Sequence, residues 1–241
     1  MSTNTRSLFN PLTIGTGLTL IALIVAGAAW ATHQPTDERP IRTRLSNLGV
    51  VTALDSNGRS IGSVNFASIK DKGTFGEAFE IVLGLEAVSS LGLNGMPVNN
   101  SDLENISRLS SLITLSLAEC KDIGGAGFEP LSALKSLQTL HLSDTQTSDQ
   151  DIPSLSRLAA LKSLDLSRTK VHKDLSALST LPSLKWVLFN GDSLDEGALV
   201  GLSAAPQLSR VTLLEAKYAA RDVQALKAAC PSLTVDESPG R

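Results

Sequence analysis

Aromatic residues are scarce in this chain, with one Tyr, two Trp and six Phe among 241 residues. A core of any size must then be mostly Leu, Ala, Val and Ile, which rules out one built around large rings. Cysteine is scarcer still. Cys120 and Cys230 stand alone, so neither a disulfide framework nor a metal site of clustered thiolates can be assembled. Basic runs are absent and the formal charge is −3, or −4 without residues 1–31, which hold one Arg and no acid. Acids interspersed with Lys and Arg do not make the electrostatic footprint of a nucleic-acid-binding protein.

What is present is periodic. Leu-x-x-Leu-x-Leu or a close apolar variant begins at Val88, Leu112, Leu137, Leu161, Leu184 and Leu208, with the end of a seventh copy at Leu233. The intervals are 24, 25, 24, 23, 24 and 25 residues, too regular for scattered core leucines. In LITLSL, LQTLHL, LKSLDL, LKWVLF and LSRVTL the apolar residues at phrase positions 4 and 6 alternate with exposed ones, the period of a strand buried on one face. Each strand is followed by a polar turn such as SRTKVHKD and then by an apolar segment such as LSALSTL that suits one short helix. So short a unit leaves no room to return to an adjacent antiparallel strand. Successive strands must stack in parallel, one coil apart, as a solenoid with a curved sheet backed by helices.

The pattern resembles the leucine-rich-repeat family, whose repeats run L-x-x-L-x-L-x-x-N/C-x-L. TQTSDQDIPSL and TKVHKDLSAL are most similar to the Cys/Thr-type repeats of short bacterial proteins and of adaptor proteins. The resemblance covers about residues 88–235 and implies an α/β solenoid of right-handed parallel strand–helix coils; it says almost nothing about a partner. One position departs from the family. Where the family has Asn or Cys, this chain has Met96, Cys120, Thr145, Thr169, Asp192 and Ala216. Asn there would bond the backbone of the neighbouring coil, and these residues do so in part or not at all, so a less regular ladder is expected. Cys120 is explained as a repeat-position residue and Cys230 as helix core. About four coils of roughly 4.8 Å each separate them, beyond the reach of a disulfide.

The ends have their own organisation. Leu12 to Ala31 is twenty residues without a charge, about 30 Å as a helix and long enough to span a bilayer. Ala29-Trp30-Ala31 also offers the small residues that a signal peptidase reads. The expectation is a single-pass anchor with the repeat domain outside the cytoplasm, or a secreted protein after cleavage near Ala31. Arg39, Arg42 and Arg44 after the segment, against Arg6 before it, point to the opposite orientation on the positive-inside rule. Residues 32–40, THQPTDERP, read as a linker. Residues 41–87 read as an N-terminal cap, with a helix from Ile41, a hairpin turning at Asn57-Gly58 by a type I′ turn, and a helix over Phe75 to Leu83. Val223, Leu226, Cys230, Leu233 and Val235 supply a last helix and strand, and residues 236–241 a polar tail.

Phrase positions 3, 5, 7 and 8 face the concave side or its rim. Position 3 gives Ser90, Thr114, Thr139, Ser163, Trp186 and Arg210, and position 5 gives Gly92, Ser116, His141, Asp165, Leu188 and Thr212. The first four coils are small and polar; the last two change character. Trp186, Leu188, Arg210 and Leu214 are therefore the candidate anchors for a protein partner, because exposed Trp and Arg are frequent at binding hot spots. The bland alternative is that Trp186 lies on the Arg210 stem in a cation–π contact. His141, Asp144, Asp165 and Arg168 are candidate polar specificity contacts. Ser116, His141 and Asp165 share one row on consecutive strands, so a hydrolase triad is the competing reading, and His141 with Asp144 and Asp165 could also be read as metal ligands. Against the hydrolase, no Gly-x-Ser-x-Gly turn surrounds Ser116 to expose its hydroxyl, and N–H groups in a parallel sheet are already committed. The reading is a non-enzymatic, membrane-anchored protein-binding module without cofactor or metal. A third alternative is an envelope protein that self-associates through its solenoid.

Overall fold

The apolar alternation of each phrase is realised as a strand, and the strands stack without slipping. The computed structural model describes residues 37–238 apart from 70 and 126. Among these, one sheet of nine strands runs in chain order, β1 (Val51–Leu54), β2 (Ile61–Asn65), β3 (Ser90–Gly92), β4 (Thr114–Ser116), β5 (Thr139–His141), β6 (Ser163–Asp165), β7 (Trp186–Asn190), β8 (Arg210–Leu214) and β9 (Thr234–Ser238). The β1–β2 pair is antiparallel and every later pair is parallel. Phrase position 4 forms one column in which Val64, Leu91, Leu115, Leu140, Leu164, Val187, Val211 and Val235 are paired in turn. Position 6 forms a second, Leu93, Leu117, Leu142, Leu166, Phe189 and Leu213, all wholly buried. Each such side chain contributes roughly 1.5–3 kcal/mol by leaving water, so in-register stacking is the arrangement that keeps both columns dry.

Each coil turns at the same place. Phrase position 8 holds Gly95, Glu119, Asp144, Arg168, Gly191 and Glu215, and all six have a positive φ between 50° and 73°. Their N–H groups continue the ladder beyond the strand: Glu119 donates to Ser143 O at 2.8 Å, Asp144 to Ser167 O at 2.9 Å, and Arg168 to Asn190 O at 3.1 Å. The left-handed residue thus lets the backbone leave the strand direction without orphaning a donor.

The face opposite differs from the expectation of helices. Among the described residues, only Asp102–Ile106 and Ile152–Leu155 are α-helical between the repeat strands up to β8, whereas Glu129–Ala133, Ser176–Thr180 and Ala198–Ala204 are 3₁₀ segments. A 3₁₀ helix rises about 2.0 Å per residue against about 1.5 Å for an α-helix, so it crosses the width of a coil with fewer residues. Gly201 permits close stacking here, since a Cβ on it would lie 2.6 Å from Ser176 N. The apolar teeth of these segments, Leu131, Leu155, Leu178 and Leu202, are fully buried.

Before the first repeat, α1 (Arg39–Asn47) and α2 (Phe75–Leu83) flank the β1–β2 hairpin. Three of the six Phe are here: Phe66 meets Phe75 and Phe79 edge-on with centroids 5.4 and 6.4 Å apart, and Phe75 stacks on Phe79 at 5.1 Å. The hairpin is not the two-residue turn expected of Asn57-Gly58. Its connection runs from Asp55 to Ser60, and of the pair only Gly58 has a positive φ. Asp55 organises it, accepting the Arg59 N–H at 3.0 Å on its carboxylate while its own N–H donates to Ser60 O at 2.8 Å.

After β8 come α3 (Ala220–Ala229) and β9. The strand takes in Asp236–Ser238, residues that read as tail in the sequence. Glu237 stands opposite Leu213, in what would be a core column, and is satisfied there by Lys227 Nζ at 2.7 Å and Tyr218 Oη at 2.8 Å. Cys120 is buried, its Sγ 3.1 Å from Leu93 O, and Cys230 is half-buried. The apolar stretch Leu12 to Ala31 lies outside the described residues; among those described, no helix is long and apolar enough to cross a membrane.

Candidate binding surface

Parallel pairing carries phrase positions 3 and 5 to the open face of the sheet, the face not covered by helical segments. Position 3 runs Ser63, Ser90, Thr114, Thr139, Ser163, Trp186, Arg210, Thr234, and position 5 runs Asn65, Gly92, Ser116, His141, Asp165, Leu188, Thr212, Asp236. The rows expected from the phrase are therefore present, each longer by a strand at both ends. Five hydroxyl residues in a row give way to Trp186 at β7. Beside it, Leu188 is half-buried, and Leu214 lies opposite Asn190 on the next strand.

Trp186 is pinned at its polar edge. Its indole Nε1 donates to Thr212 Oγ1 at 2.9 Å, and Thr212 Oγ1 donates to Asp236 Oδ2 at 3.4 Å. Arg210 does not spend its charge on the ring but turns to the same Asp236 oxygen, with Nε 3.5 Å away. With its one donor satisfied inside the protein, the indole offers its apolar ring to the open face. Asp236 is the residue that sequence reasoning missed. It follows a terminal phrase and sits in a run, DESPGR, that has every mark of a solvated end; continuing the position-5 row by one more interval of 24 residues from Thr212 would have found it.

The polar candidates form a chain of charge across three coils. Asp144 accepts from Arg168 at 2.8 Å (Nε) and 2.6 Å (Nη2), and Lys121 Nζ lies 3.7 Å from its other oxygen. The Arg168 hydrogen bond is the largest influence holding the Asp144 carboxyl below the usual carboxylate range. Gly191 leaves room for this: a Cβ there would come 3.2 Å from Arg168 Cγ. For Asp165, burial pushes the carboxyl up, but hydrogen bonding to His141 and to the Ser167 hydroxyl and N–H outweighs it and leaves it below the ordinary value. His141 Nδ1 is 3.7 Å from Asp165 Oδ2, and Asp165 Oδ1 accepts from Ser167 Oγ at 2.5 Å and its N–H at 2.9 Å.

Those distances bear on the alternatives. The row of Ser116, His141 and Asp165 is real in register, yet among the described residues no hydrogen bond joins Ser116 to His141. The N–H after Ser116, that of Leu117, is donated to His141 O at 2.9 Å and so is not free to hold an oxyanion. Asp144 is turned to Arg168 and Lys121, away from a shared metal with His141; among the described residues no three His, Cys, Asp or Glu side chains could hold an ion. His172 is half-buried, its Nδ1 2.9 Å from Ser193 O.

No protein-family model matches the sequence, and no curated protein matches it. Solved structures do. Internalin C2 from Listeria monocytogenes is similar with a TM-score of 0.55 and 21% identity, over 74% of this chain and 81% of that one. A leucine-rich-repeat protein of Leptospira interrogans is similar at a TM-score of 0.47 and 17% identity, over 66% of this chain and 45% of that one. Internalin F from Listeria monocytogenes gives 0.46 and 16%, over 82% and 66%. The first of these likenesses and the in-register coils agree: the chain has the leucine-rich-repeat fold.

Proposed function

We propose that the chain is a non-catalytic binding module that presents the open, concave face of its sheet to another protein. The observation that carries this reading is the change of character at β7. A face of hydroxyls and paired charges becomes one where Trp186, its N–H already satisfied, stands with Leu188 and Leu214. A preformed sheet loses little entropy on binding, so a few anchors suffice. Trp186, Leu188, Arg210 and Leu214 are those anchors, and His141, Asp144, Asp165 and Arg168 set specificity at the polar side. Residues 41–87 cap the N-terminal end of the solenoid. Residues 12–31 hold the module in a membrane as a single pass, with the repeats outside the cytoplasm, or are removed near Ala31 to leave it secreted.

A photo-crosslinking amino acid placed at Leu188 or Leu214 of the full chain in its native cells tests the surface, with Ser179 on the helical side as control. A discrete adduct from the open face alone, lost when Trp186 is also changed to Ala, is the expected result. Adducts equally abundant from Ser179, or indifferent to Trp186→Ala, overturn the assignment of the face. Adducts only to copies of the same chain would turn the reading to self-association. Mass and protease accessibility of the fractionated product test the anchor separately, expecting either an intact membrane-bound chain with digestible repeats or a product beginning near Thr32.

A further inference from the structure

Asp192 occupies the ladder position two residues after the end of β7, between Thr169 of the preceding coil and Ala216 of the next. It is only 4% exposed. Oδ1 accepts the Thr169 N–H at 3.0 Å, whereas Oδ2 is buried with no hydrogen-bond partner. Its own carbonyl accepts the Lys217 N–H at 2.8 Å, so this residue ties three successive coils together. Two other buried carboxylates are served differently. Asp222 Oδ2 accepts the Gly197 N–H at 2.7 Å, and Asp151 Oδ2 accepts from Ser148 N, Ser148 Oγ and Gly125 N at 2.8, 3.1 and 3.1 Å. A carboxylate oxygen in apolar surroundings without a donor is costly, and protonation removes that cost.

We infer that Asp192 carries a proton in the folded solenoid under mildly acidic conditions, making the coil that bears Trp186 and Leu188 an element that tightens as the pH falls. Protonated, the side chain has the hydrogen-bonding pattern of the amide it replaces in the ladder: one acceptor for Thr169 and one donor. Its charged neighbours do not cancel the effect. Arg168 of the preceding coil favours the anion but is committed to Asp144, Asp165 opposes it, and Glu215 and Lys217 of the following coil are both exposed and opposite in sign. Burial is the largest influence and raises Asp192 to about 6, against the N–H groups of Thr169, Arg168 and Asn190, which lower it. The folded value lies above the ordinary 3.8, so the stabilisation is complete below pH 3.8 and is lost as the pH rises through about 6.

The test is independent of any partner. Urea unfolding of the full chain and of Asp192→Asn is followed from about pH 4 to about pH 8. The amide is isosteric, donates at every pH and does not titrate. Wild type is expected to lose ground to the variant from about pH 4 to about pH 6 and then to level off, the difference reaching on the order of 100-fold in the unfolding equilibrium by about pH 7.5. Parallel pH dependences of the two proteins overturn the inference. The wild-type Asp192 carboxyl ¹³C shift gives a second reading that survives any failure of the variant to fold: a midpoint between about 5 and about 7 upholds the assignment, and one at or below about 4 refutes it.

Discussion

Gly124→Ala should be among the most damaging single-methyl changes in the molecule, and Gly95→Ala among the mildest. Gly124 has φ 141°, and a Cβ on it would lie 2.3 Å from Gln146 C and 2.4 Å from Gln146 O in the next coil. Ordinary contact begins near 3.4 Å, so the coils must part by about 1 Å. That displacement carries the Gln146 N to Ile123 O bond, now 2.7 Å, beyond hydrogen-bonding length. It also disturbs Asn100, which grips Gly124 from the other side, with Nδ2 donating to its carbonyl at 2.6 Å and Oδ1 accepting its N–H at 3.1 Å. The backbone conformation costs an alanine about 1–3 kcal/mol and each lost bond about 1 kcal/mol. A stiffer unfolded chain returns about 0.4–1 kcal/mol. The net loss is about 3–5 kcal/mol, a large fraction of the stability of a domain.

Gly95 has φ 68° and nothing within 4 Å of the place a methyl would take, so only the left-handed backbone cost of about 1–2 kcal/mol remains, offset by the same unfolded-state gain. Its equivalents Glu119, Asp144, Arg168 and Glu215 already hold side chains at that turn. Urea unfolding of both variants by far-ultraviolet circular dichroism separates them, the Gly124→Ala midpoint falling well below that of Gly95→Ala. Equal losses would refute the claim that contact between coils, rather than backbone angle, sets the cost.

Leu140 lies at the centre of its column and is fully buried, so Leu140→Ala should cost about 2–5 kcal/mol by thermal or urea unfolding, with partial loss of the flanking coils. Asp165 has its folded value below 3.8, so it stabilises the fold above that pH and the contribution is lost as the pH falls through the folded value. Asp165→Asn should therefore be less sensitive than wild type to acid below about pH 4, as read by the pH of half-unfolding.

Register was legible because every strand from β3 to β8 begins at the same offset in a phrase whose period hardly varies. That alone placed Trp186 beside Arg210, Asp165 beside His141, and Leu188 beside Thr212. The choice of 3₁₀ over α in the covering segments was not legible. Short apolar stretches such as LSALSTL suit either, and the distance to be crossed decides. The hairpin misled because Asn57-Gly58 is a strong local signal, while the turn is governed by the Asp55 carboxylate and its bonds to Arg59 and Ser60. At the candidate surface, the partners of Trp186 and Arg210 were hidden for another reason. Asp236 belongs to a strand with no apolar phrase after it, so a polar end and an edge strand look alike in sequence.

The zero-shift pairing of successive coils also governs how such a molecule can change over evolutionary time. Because each strand meets the next at the same offset, a deletion of a few residues inside a coil would misalign the dry columns, whereas loss or duplication of a whole coil would leave both neighbours with compatible edges. The heritable unit of variation is then the complete coil. The breadth of the open face and the identity of its anchors can diverge separately, one by copying coils and the other by point substitution.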